Sequence, residues 1–167
     1  MTILGVCEWL ESTQLAILIQ ESQYGFPLVV AVHILGLTLS VGTLLWVDLR
    51  MMGVGIRGLR VSEVYRGLAP WFSVGFVLMF ISGASLFTAF ATSAYGNLYF
   101  RIKMVALLLA GVNALVFHVV THKTSATWDD AARPPAVVRV AGFTSIVLWA
   151  AVIVAGRMMS YTMFSYP

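Results

Sequence analysis

Apolar residues in this chain do not alternate with polar ones; they run on. From Ser22 to Val47, Gly67 to Phe100, Met104 to His122 and Val140 to Gly156 there is no Asp, Glu, Lys or Arg. A helix needs about 20 consecutive apolar residues to cross a hydrocarbon core of roughly 30 Å. Continuous rather than alternating apolarity also selects helices over barrel strands. Four spanning helices are therefore predicted, over about 26–48, 71–92, 102–121 and 138–158.

The stretch "CEWLESTQLAILIQESQYGFP" ahead of the first span predicts an interfacial helix over 7–25, ending near Gly25–Pro27. Its apolar residues do not fall on one helical face, so packing over the bundle or against a partner suits it as well as lying on the membrane. "DDAARPPAVVR" reads as a loop whose prolines set the start of the fourth span. No internal repeat stands out, and residues 1–167 are expected to form a single membrane domain. Helix packing in lipid leans on small residues. Ala106, Ala110 and Ala114, Gly36 with Ser40, Ala151 with Ala155, and the run Ser82–Ser85 supply the grooves. The expected fold is an all-α integral membrane protein, an up-down four-helix bundle with an N-terminal interfacial helix.

Composition agrees with this pattern. The chain is 60% hydrophobic and 10% charged, with a mean hydropathy of +0.91, where soluble domains carry roughly 25% charged residues. A single Cys7 excludes an intrachain disulfide and a CxxC site. "MTILGVCEWLE" has no basic residue before its first acids, so it is not a secretory signal and the chain is expected to be used whole. The pI near 9.3 does not point to nucleic acid, because the cations flank the spans.

Their distribution sets the orientation. Arg50, Arg57, Arg60, Arg66, Lys123, Arg133 and Arg139 lie on one side, against Arg101, Lys103 and Arg157 on the other, which also holds Glu8, Glu11 and Glu21. The positive-inside rule makes both connecting loops cytoplasmic and both termini external. Trp9, Tyr95, Tyr99, Tyr161 and Tyr166 then gather at the outer boundary, as amphipathic aromatics prefer. In a bacterial inner membrane that side is the periplasm.

Polar groups inside a bilayer are costly, so each is a functional candidate. His33, Met104, Arg101 and Lys103 share the outer half. Imidazole with thioether can form a haem axial pair or bind Cu(I), and the two cations would suit propionates or a quinone head group. Met158, Met159 and Met163 lie near the same level. The plain alternative is that His33 bonds to a neighbouring helix, the methionines fill gaps and the cations reach for the interface. His118 and His122, four residues apart, form a weaker metal candidate that lacks a third ligand of fixed spacing. His33 and His118 lie too far apart along the axis for one haem iron. Asp48 with Arg50 reads as a structural pair near the head groups, or as a contact with Arg66 or Lys123. Asn113 is expected to bond across helices, to Thr38 or Ser82. No mid-membrane carboxylate supports an ion-coupled transporter, and no hydrolase, phosphate-binding or nucleic-acid motif is present.

In "HILGL", "DLRMMG", "FRIKM" and "NALVFH" the chain resembles an uncharacterised family of small four-span bacterial inner-membrane proteins. The resemblance implies the bundle and assigns no activity. Met51 and Met52 replace the leucines more usual after DLR in that family, which argues against a general metal-ligand role. A looser similarity links the chain to copper-resistance membrane proteins and small b-type cytochromes. The leading functional expectation is a membrane subunit of a redox or electron-transfer assembly, binding haem b or a quinone near the periplasmic face. The alternatives are a non-catalytic anchor or assembly subunit and a copper-handling membrane protein. Expected partners are the lipid bilayer, other membrane or periplasmic subunits, or further copies of the chain, and no nucleic acid.

Overall fold

The computed structural model describes residues 2–54, 58–121, 129 and 133–163, and every regular element among them is a helix. The N-terminal segment forms two helices rather than the single one expected over 7–25: α1 (Ile3–Glu11) and α2 (Gln14–Glu21). The break falls at Ser12–Thr13, where side-chain hydroxyls offer the backbone an alternative to helix. Ser12 donates to the Trp9 carbonyl at 2.7 Å, and Thr13 caps α2 by accepting from the Ala16 N–H.

Four further helices are long and apolar enough to cross a membrane: α3 (Gly25–Met51), α4 (Val61–Ala89), α6 (Leu98–Thr121) and α7 (Ala136–Met163). A short α5 (Ala91–Gly96) joins α4 to α6. Helix α4 begins ten residues before the predicted 71, because its first turn is capped from a distance. The Val61 N–H donates to the Asp129 carbonyl, the Ser62 N–H to Asp129 Oδ1 at 2.8 Å, and the Ser62 hydroxyl to Oδ2 at 2.5 Å. The Glu63 carboxylate accepts from the Arg60 N–H. Pro70 is carried inside this helix at the cost of one ladder bond.

The spans pack in antiparallel register. His33 meets Ser82, and Gly36 and Ser40 meet Gly75 across α3 and α4, while Lys103 meets Gly156 and Asn113 meets Ala141 across α6 and α7. The closest approach is backbone on backbone. A Cβ on Gly75 would stand 2.5 Å from the Ser40 nitrogen, and one on Gly36 would stand 2.7 Å from the Met79 nitrogen, so only glycine fits either position. Gly142 lets α7 reach the Asp48 carbonyl of α3 in the same way. Of the expected alanine groove on α6, Ala106 and Ala110 are buried and Ala114 is exposed.

Met79, Ala106, Ala110, Trp149 and Val152 form the central core, with a second cluster of Val47, Met51, Val61, Val64 and Val138 towards the loop end. Helix α3 packs on α4, α7 on α3 and α6 on α7, whereas α4 and α6 lack an extended backbone contact among the described residues. One side of the bundle is thus looser than the other three. At the opposite, terminal end α1 packs on α5 and α2 on α4. The Glu11 carboxylate accepts from the Thr92 N–H and hydroxyl, and the Gln20 amide donates to the Ala89 carbonyl. Of the three settings open to this segment, packing over the end of the bundle is the one observed.

Candidate ligand site

His33 lies on the face of α3 that meets α4, about two turns from the helix start. Its Nδ1 is 3.1 Å from Ser82 Oγ, and the Met79 carbonyl lies beside the ring. A serine hydroxyl has one proton and two lone pairs. Ser82 donates that proton to the Leu78 carbonyl at 2.5 Å, with the Met79 carbonyl as a second acceptor at 3.2 Å. Ser82 can therefore only accept from His33, which fixes the proton of the neutral imidazole on Nδ1 and leaves Nε2 with its lone pair. Gly83 makes the room: a Cβ there would stand 3.0 Å from His33 Cε1.

Lys103 enters the same half from α6. It is half-buried, its stem lies along Gly156, and its ammonium is near enough to act on the His33 ring through space. No acceptor among the described residues takes a hydrogen bond from Lys103 Nζ. Helices α3 and α6 thus supply His33 and Lys103, and α4 and α7 supply the glycines that accommodate them, α4 adding Ser82. The pair offers an imidazole, His33, and a cationic donor, Lys103 Nζ, for which no acceptor stands among the described residues.

Other predicted members of the site do not join it. Met104 is 49% exposed on the outward face of α6, so the expected His33–Met104 axial pair is not assembled within one chain. Arg101 is also exposed and turned away from Lys103, since positions i and i+2 of a helix face opposite ways. It donates from Nε and from one terminal nitrogen to the Tyr95 carbonyl, with its guanidinium 5.8 Å from the Tyr95 ring centre. The expected Arg101–Lys103 anion clamp is therefore not formed; Arg101 closes the end of α5 instead.

Towards the loop end, His118 is exposed and sits 15 residues beyond Lys103, roughly 22 Å along the helix. His122 lies outside the described residues, as do Lys123 and Arg57. No group of three or more His, Cys, Asp or Glu able to hold a metal occurs among the described residues. Asp48 and Arg50 are both buried; the Ser145 hydroxyl bonds to Asp48, and Arg50 Nε donates to the Leu59 carbonyl at 2.6 Å. Asn113 bonds across helices, donating to the Ala141 carbonyl at 3.0 Å rather than to Thr38 or Ser82. Thr38 instead donates to the Ile34 carbonyl of its own helix.

Sequence reasoning missed Asp129 and Gly156, and reached Gly83 only as part of the packing groove Ser82–Ser85. Asp129 acts across 67 residues on Ser62, and the glycines matter only for what lies opposite them.

These features define a class: an all-helical chain with four helices apolar enough for a bilayer and a small polar pair set among them. Within that class the chain belongs to DUF6644, a family of unknown function whose model matches residues 6–162. No curated protein and no solved structure matches the chain.

Proposed function

We propose that this chain is the membrane subunit of a redox or electron-transfer assembly, and that it holds a quinone-type head group between His33 and Lys103. It sits in a bacterial inner membrane as an up-down bundle, with both termini and the polar pair on the periplasmic side. The observation that carries this reading is the pairing itself. An imidazole held by Ser82 and the Met79 carbonyl shares one half of an apolar bundle with an ammonium that donates to no acceptor among the described residues. A quinol or half-reduced quinone presents the complement, a hydroxyl hydrogen for Nε2 and an oxygen acceptor for the ammonium. The chain's part is to bind and orient the ring, while electrons pass to centres carried by partner subunits. Haem b fits less well than a quinone, because Met104 faces outward and supplies no second axial ligand within the chain.

One observation favours a second reading, a non-catalytic anchor. The His33–Ser82 bond joins α3 to α4 and would serve as inter-helix attachment whether or not anything else binds.

The test is to extract the gently solubilised protein with organic solvent and quantify co-purified quinone, beside an oxidised-minus-dithionite-reduced absorption spectrum. Stoichiometric quinone, lost in His33→Ala and Lys103→Ala, supports the proposal. A haem α-band replaces quinone with haem. A folded protein with neither leaves the anchor reading.

A further inference from the structure

Two aromatic rings stand directly over the polar pair. Phe87 lies one turn beyond Gly83 on the same face of α4, and Phe100 one turn beyond Lys103 on the same face of α6. The two rings stack across the looser side of the bundle, with centroids 5.4 Å apart and planes 10° from parallel. They bridge α4 and α6 at the level where no extended backbone contact does. Beyond them the terminal end is covered again: Ala89, Ala91 and Ala94 are buried under the α1–α2 layer, and Phe26 packs edge-on against Phe90 at 5.5 Å. Below them His33, Gly83 and Lys103 each keep partial exposure. A site closed at its aqueous end yet not sealed must open sideways.

We infer that the stacked pair Phe87–Phe100 roofs the His33–Lys103 site against the aqueous phase, and that its ligand enters laterally between α4 and α6 from the bilayer. The ligand class follows: a lipid-dissolved amphiphile whose ring bears oxygen acceptors and donors, rather than a water-borne anion. This inference rests on the reading of His33 and Lys103 as a ligand site, and it adds the route and the gate.

The route can be tested without any ligand, because the chain has two lysines, Lys103 and Lys123. The full-length protein in phosphatidylcholine nanodiscs is treated with a sulfonated, water-soluble succinimidyl ester or with a fatty-acyl succinimidyl ester that partitions into lipid. Acylation is read peptide by peptide by mass spectrometry. The expected result is acylation of Lys103 by the lipid-borne ester at least tenfold above that by the sulfonated one. Phe87→Ala and Phe100→Ala should each raise sulfonated labelling of Lys103 about tenfold. Two results on the unaltered protein overturn the inference, so it does not depend on the variants folding. One is equal labelling of Lys103 by both esters, which means the roof is open to water. The other is labelling by neither, which means there is no lateral entry. A quinone titration that fails while lipid-selective labelling holds would reject the quinone and leave the route intact.

Discussion

Gly156 faces the outer half of the Lys103 side chain: a methyl group at position 156 would stand 3.7 Å from Nζ, 3.8 Å from Cδ and 3.9 Å from Cε. Those are ordinary contact distances, so alanine fits there and leucine does not. Gly156→Leu is expected to displace the ammonium and weaken quinone binding by about tenfold or more, a loss of roughly 1.4 kcal/mol. Gly156→Ala should stay within about twofold. Isothermal titration of both variants with a short-chain benzoquinone checks this.

Ser82 determines which nitrogen of His33 carries the proton. Solid-state 15N spectra of histidine-labelled protein should show His33 as the Nδ1–H tautomer when neutral. Ser82→Ala should broaden or shift that signal while lowering stability by only about 0.6 kcal/mol, the usual size of an interhelical hydrogen bond in a membrane.

The α3–α4 crossing tolerates no Cβ. Gly75→Ala, which would drive its methyl to 2.5 Å from the Ser40 nitrogen, should cost roughly 1–3 kcal/mol in reversible unfolding in mixed micelles. Gly42 of α3 meets nothing within 4 Å, so Gly42→Ala should be neutral or slightly stabilising, by about 0.4–1 kcal/mol.

Asp129 caps a helix that begins far away in sequence. Asp129→Ala should cost about 1 kcal/mol. Hydrogen exchange should speed up at the amide of Ser62, which donates to the Asp129 carboxylate, and less at Val61, whose acceptor is the backbone carbonyl that alanine keeps.

The orientation proposed for the bundle is open to direct labelling. With Cys7 replaced by serine, a membrane-impermeant maleimide should, in that orientation, modify Ser160→Cys and spare Gly58→Cys in intact cells. The reverse pattern would invert the topology.

Legibility in the sequence followed the range of each interaction. The spans were readable because burial in lipid constrains about 20 successive residues at once, and Gly36 with Ser40 stood out as a groove for the same local reason. The start of α4 was not readable. The charges of Arg60, Glu63 and Arg66 and the ring of Pro70 look like loop, and what overrides them is Asp129, 67 residues away. In the site, His33 and Lys103 were visible as polar residues in apolar runs. Met104 and Arg101 are their neighbours in sequence but not in space. One step along a helix turns a side chain by about 100°, enough to point Lys103 inward and Met104 outward. Gly83 is legible only as part of the small-residue run Ser82–Ser85, and Gly156, Phe87 and Phe100 carry no signal, since their roles lie in what faces them from another helix.

The measurement that tests the account most directly is a binding titration of the full-length protein in nanodiscs with decylubiquinol, kept reduced, beside Lys103→Ala and His33→Ala. The account predicts saturable one-to-one binding that each substitution weakens about tenfold or more, with helical content and elution profile unchanged. Binding that is absent from the folded protein, or equal in all three, would contradict it.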